Sequence, residues 1–140
     1  MTTQYRVCLV VTTQSATLSE LTAQVGVEPD DDSHNMGDPN LLKTRGPWKQ
    51  TVWRVGTACS WTATLEEQFE DIVEQVPPKK LRSPGVLPDA SEVYLSVGVF
   101  SDDQIPTADL TLRCLAISQS YGASIEVCMF ESDMSKVRDP

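Results

Sequence analysis

Aromatic and basic residues are scarce in this chain. Tryptophan, tyrosine and phenylalanine occur three times each, 6% of 140 residues, and there is a single histidine, His34. Lysine and arginine number 11 against 20 aspartates and glutamates, a formal charge of -9. Affinity for nucleic acid rests on cations that neutralise phosphates, so this balance argues against a phosphate-binding role. Trp48, Trp53 and Trp61, with Lys49 and Arg54, resemble a base-stacking platform only in part, because few other aromatics accompany them. No apolar run approaches the roughly 20 residues that cross a bilayer. The amino-terminal MTTQYRVCLVVTTQ lacks a basic stretch followed by an apolar helical segment and a small-residue cleavage site. The expected location is therefore cytoplasmic.

The chemistry of catalysis is also thinly represented. No phosphate-binding loop, dinucleotide fingerprint or serine nucleophile elbow occurs, so no catalytic residue and no cofactor is assigned, and the expectation is a protein that is not an enzyme. The four cysteines, Cys8, Cys59, Cys114 and Cys128, form no CxxC pair, and three lie in apolar segments where a thiol packs as a small hydrophobe. Reduced structural thiols are expected. Asp30, Asp31, Asp32, His34 and Asp38 invite a metal reading, but an EF-hand needs alternating oxygen ligands, a central glycine and a terminal bidentate glutamate, and this run has no glutamate in that place, so no metal site is assigned.

What is present is a regular alternation of elements. At 15.4 kDa and 40% apolar content the chain can bury roughly two-thirds of its unfolded surface around one core. Residues 4 to 12 read as a central strand, with Tyr5, Val7, Leu9 and Val11 on one face and Cys8 and Val10 on the other. Thr17 and Glu20 have capping-box spacing before a short helix that ends at Gly26 and aligns Leu18, Leu21 and Val25. Residues 28 to 47 have no periodicity and hold three prolines and two glycines, a long loop that is either functional or mobile. A strand from Trp48 to Val55 follows, with Thr51, Trp53 and Val55 on one face.

Thr64 and Glu67 then cap a helix whose buried stripe is Leu65, Phe69, Ile72, Val73 and Val76. Pro77 and Pro78 stop it, and a proline-rich connection leads to a strand over residues 92 to 100. Pro106 and Thr107 introduce a helix over 108 to 121, with Leu112, Leu115 and Ala116 expected inward and Gly122 as cap. A strand over 124 to 130 closes a single α+β domain of residues 1 to 130, and residues 131 to 140 read as a polar tail. Two strand–helix–strand units joined by a helix predict a split, ferredoxin-like, four-stranded and mostly antiparallel sheet with its helices on one face.

Several of these segments together resemble the bacterial DUF4279 family: the strand followed by TLSELTAQVGVEP, then SHNMGDP, GPWKQTVWRV, the acidic TLEEQFEDIVEQV, and the strands YLSVGVF and GASIEVCMF. The most specific parts are the helix exit Val25-Gly26-Val27-Glu28-Pro29, the Gly37-Asp38-Pro39 step and the pair Trp48 and Trp53. The resemblance implies an α+β domain and no reaction. It also marks two departures: where members often carry a histidine in the second helix, this chain has Gln68, and its proline-rich insert from Pro77 to Pro88 is longer than usual.

Two candidate surfaces emerge. Glu66, Glu67, Glu70, Asp71 and Glu74 make the outer side of the second helix acidic, with Glu66, Glu70 and Glu74 spaced one turn apart, where like charges oppose the helix slightly. His34, Asp38, Arg45 and Trp48 gather in the long loop as a ligand site. The first surface supports a non-enzymatic protein-binding module, such as a toxin-immunity protein or a mobile-element or phage-encoded inhibitor, that receives a basic protein partner. The second supports a small-ligand-binding or sensor domain. Neither reading involves a membrane, and the oligomeric state stays open.

Overall fold

A computed structural model describes residues 3–40, 45–101 and 108–131. Four strands, β1 (Thr3–Thr13), β2 (Thr51–Gly56), β3 (Glu92–Ser101) and β4 (Ser124–Glu131), form one sheet in the order β2-β1-β3-β4. Helices α1 (Leu18–Val25), α2 (Leu65–Gln75), the single turn α3 (Lys79–Arg82) and α4 (Leu112–Tyr121) complete the chain. No helix among the described residues is long and apolar enough to cross a membrane. Of the expected tail at 131 to 140, Glu131 ends β4 and the rest lies outside the described residues, as do Pro106 and Thr107, expected to introduce the last helix.

The α+β class and the four strands agree with the sequence reading, but the sheet is mixed. β1 pairs antiparallel with β2 and β3, whereas β3 and β4 run parallel across the α4 crossover. In neither strand–helix–strand unit does a third strand separate the two, so the split arrangement expected from element order is replaced by direct neighbours. The reversal of β2 has a local cause. A strand–helix–strand unit with a short return gives parallel strands, but here residues 30 to 34 run antiparallel alongside β2 and add one more traverse before β2 begins. Asp30 N–H donates to Arg54 O at 2.7 Å, and His34 and Val52 exchange backbone bonds at 3.0 and 2.8 Å. The loop that sequence left without structure thus covers the outer edge of β2, where unpaired backbone groups would otherwise be open to another chain.

One face of the sheet carries the core. Val7, Leu9, Val11, Trp53, Val55, Leu95, Val97 and Val99 alternate along three strands and meet Leu21 and Val25 of α1, Phe69 and Ile72 of α2, Leu81 of α3 and Ile117 of α4. Both predicted capping boxes are present, Thr17 with Glu20 and Thr64 with Glu67. Gly26 and Gly122 end α1 and α4 in the left-handed conformation that glycine adopts without steric cost.

α4 departs from its sequence reading in both start and face. Thr111 is its N-cap, its hydroxyl accepting Cys114 N–H, and Cys114, Ile117, Ser118 and Tyr121 are buried. Leu112 is 85% exposed and Leu115 and Ala116 also face outward. The reason lies in α2, which Pro77 terminates without a glycine cap. Its last carbonyls are met by the Tyr121 hydroxyl, which donates to Val76 O at 2.5 Å and reaches Ile72 O at 3.3 Å. Orphan helix carbonyls require such partners when buried, and satisfying them turns the Tyr121 face of α4 inward.

Candidate functional site

Among the described residues, no helix lies over the second face of the sheet. Register brings its side chains into rows: Val10 lies opposite Arg54 of β2 and Tyr94 of β3, and Cys8 lies opposite Ser96. Residues 31 to 39 and Trp48 stand over this end of the face and leave a cleft of about 820 Å³. Its floor is Cys8, Val10, Val52, Tyr94 and Ser96, and its wall is Asp31, Asp32, His34, Asp38 and Trp48, with Arg54 between.

The wall is built by hydrogen bonds that begin in the sequence. Asp38 N–H donates to Asn35 O at 3.1 Å and Asp38 Oδ2 accepts Asn35 N–H at 2.9 Å, closing a tight turn around Gly37. Gly37 N–H donates to Trp48 O at 2.8 Å and Trp48 N–H donates to Asp38 O at 2.9 Å, which fixes the tryptophan backbone to the turn. Asn35 Oδ1 accepts Leu18 N–H at 2.7 Å, so the same turn is tied to the first residue of α1. Thr51 Oγ1 takes Met36 N–H at 3.1 Å and donates to Ala16 O at 2.7 Å. The His34 ring then stacks on Trp48 with centroids 3.7 Å apart and planes 22° from parallel. Its Nδ1 lies 3.3 Å from Asp32 O, while its Nε2 is buried with no hydrogen-bond partner.

Electrostatically the cleft is acidic. Arg54 Nε contacts Asp30 Oδ2 at 3.1 Å and Arg54 Nη2 lies 3.6 Å from Asp32 Oδ2, so its charge is already matched. Burial pushes the Cys8 thiol above its ordinary value, an effect that nearby Arg54 only partly offsets. A thiol held protonated in this way is a weak nucleophile. Burial likewise raises the Tyr94 phenol, with Glu126 adding to the effect, so it serves the cleft as a neutral hydroxyl.

Of the four loop residues singled out from sequence, the structure brings together His34, Asp38 and Trp48. Arg45 is exposed and lies outside the cleft lining. Sequence reading missed Cys8, Arg54, Tyr94 and Ser96 as lining residues. Their signal was their shared alternation on the strand face opposite the core, but which of them meet depends on register, and register is invisible until β3 is placed beside β1.

The acidic surface of α2 proves largely occupied. Glu66 accepts the Thr111 hydroxyl at 2.7 Å, Glu70 pairs with Arg113 at 3.2 Å, and Glu67 closes the capping box. Asp71 Oδ2 accepts from Thr57 Oγ1, Ala58 N–H and Gln75 Nε2 at 3.0, 2.7 and 2.8 Å. Glu74 is exposed. Among the described residues no group of three or more histidine, cysteine, aspartate or glutamate side chains is placed to hold a metal ion.

At the other end of the helix-free face, Arg6 lies over Trp61 at 4.9 Å, Trp61 meets Phe100 edge-on at 5.1 Å, and Phe100 stacks on Phe130 at 4.8 Å. This row closes the sheet below the cleft and takes no part in its lining. Trp53 is fully buried in the core and Trp61 is partly exposed, whereas Trp48, expected to open the strand, precedes β2, which starts at Thr51, and is 37% exposed.

A family model described as a domain of unknown function, DUF4279, matches residues 3–131. No curated protein and no solved structure matches the chain.

Proposed function

Because the chain belongs to the DUF4279 family, whose description names no reaction, we propose a function from the geometry: this domain binds a small molecule in the cleft that residues 31 to 39 and Trp48 form over the helix-free face of its sheet. The observation that carries the reading is the His34–Trp48 stack, which a chain of backbone bonds holds over a half-apolar floor instead of letting it collapse onto the sheet. Small-molecule sites are concave, apolar in the main and furnished with a few fixed polar groups, at volumes of roughly 300–1,000 Å³. Val10, Val52 and Trp48 supply the apolar part, and Arg54, Tyr94, Ser96 and the aspartates supply the polar part.

The alternative, an immunity or inhibitor protein that receives a basic partner on α2, has less support. Four of the five carboxylates it needs already bond within the chain. A partner would compete with those bonds.

A thermal-shift screen of small molecules against the full chain tests the proposal, because a ligand that binds only the folded form raises the melting temperature with its concentration. The expected result is one or more hits whose effect vanishes in Trp48→Ala. Hits that survive Trp48→Ala unchanged, or a broad library without hits, would refute it.

A further inference from the structure

We infer that the ligand of this cleft is an organic cation, an ammonium carried on an apolar body. The inference rests on the binding reading above and adds the chemistry of what is bound. Three aspartates, Asp31, Asp32 and Asp38, line the cleft against one guanidinium, and that guanidinium is held by Asp30 and Asp32. The unmatched charge of the wall is therefore negative. An anionic ligand would have to draw Arg54 away from two carboxylates, whereas a cation meets Asp31 without disturbing either contact.

The aromatic groups point the same way. His34 stacks on the Trp48 indole, Trp48 is 37% exposed, and both Trp48 and Tyr94 line the cleft. Indole and phenol faces attract cations through their ring quadrupoles, and aromatic residues beside carboxylates are the usual recognition of ammonium groups. A bare metal ion is disfavoured by the same side chains, since the described residues offer no set of three ligating groups and the lining is half apolar. At a formal charge of -9 the protein as a whole also draws cations toward it.

The experiment uses the full chain labelled with ¹⁵N at its tryptophan indoles and three probes of similar shape: benzyltrimethylammonium, phenethyl alcohol and 3-phenylpropionate. The expected result is a saturable shift of the Trp48 indole signal with the cation alone, weakened about 2- to 5-fold in Asp31→Asn, the range of one exposed cation–π or ionic contact. Asp31 is exposed and bears on the cleft rather than the core, so this variant keeps the fold. Added salt should weaken the cation's binding further. Binding of 3-phenylpropionate, lost in Arg54→Gln, would overturn the cation assignment while leaving the cleft as a binding site. No response of Trp48 to any probe would overturn the cation assignment too, and the thermal-shift screen then judges the binding reading separately.

Discussion

The side-chain carbonyl of Gln68 accepts the backbone N–H of Val7 at 3.0 Å, inside the core. The same amide donates to Tyr5 O at 2.8 Å and Ala63 O at 3.2 Å, so a fully buried glutamine of α2 replaces the neighbour that β1 loses where β2 ends at Gly56. Buried backbone groups left unpaired cost about 1–3 kcal/mol each. Gln68→Leu should therefore destabilise the fold by roughly 2–4 kcal/mol in urea unfolding, within the range of severe single substitutions. Gln68→Glu keeps an acceptor for Val7 but loses both donors and adds a buried charge, so it should be at least as harmful. A loss under about 0.5 kcal/mol for Leu, the size of an ordinary surface change, would show that water or backbone adjustment replaces the amide.

Tyr121 offers a pH test. Burial raises the phenols of Tyr121, Tyr5 and Tyr94 above the ordinary value of 10.0. In the unfolded chain these groups ionise near the ordinary value. Their contribution to stability is therefore complete below pH 10.0 and is lost as pH rises through the higher folded values. Tyrosinate absorbance in the native protein should lag behind that of the urea-unfolded chain. Tyr121→Phe removes the bond to Val76 O, should cost about 1–2 kcal/mol at neutral pH, and should flatten the alkaline decline. Native tyrosinate appearing at the same pH as in the unfolded chain would contradict the burial of these phenols.

Asp71 and Glu74 sit on one helix and differ in what they hold. Asp71 anchors the turn after β2 through Thr57 and Ala58, while Glu74 is exposed. Hydrogen bonds to a charged group contribute about 1.5–3 kcal/mol, so Asp71→Ala should lower stability by roughly that much. Glu74→Ala should stay within about 0.5 kcal/mol, as exposed substitutions do. Equal, small effects would return Asp71 to the free acidic surface that sequence alone suggests.

Local signals were legible throughout: the capping boxes at Thr17 and Thr64, the glycine ends at Gly26 and Gly122, and the alternation of Val7, Leu9 and Val11. Each depends on residues within one turn or one strand. What escaped depends on partners far apart in sequence. Residues 30 to 34 carry no strand periodicity because their place beside β2 is fixed by backbone bonds to Val52 and Arg54 and by polar side chains that meet Arg54, not by an apolar face. Gln68 reads as a polar break in an apolar stripe until the unpaired end of β1 is beside it. The candidate site was half visible for the same reason: His34, Asp38 and Trp48 come from one contiguous loop, whereas Arg54, Cys8 and Tyr94 join them only through register.

α4 supplies the last test, because its inward face was misread from its own residues. Leu112, Leu115 and Ala116 form as good an apolar stripe as Cys114, Ile117 and Tyr121, and helical periodicity alone does not choose between them. The choice is made by the carbonyls at the end of α2 and by the buried space that Ile117, 2% exposed, fills beside the sheet. Ile117→Ala should therefore cost about 2–5 kcal/mol, the lost burial plus the cavity left behind. Leu112→Ser, at a position 85% exposed, should leave stability within about 0.5 kcal/mol. Urea unfolding of the two variants side by side decides the matter, and the reverse order of effects would place α4 in the orientation its sequence first suggests.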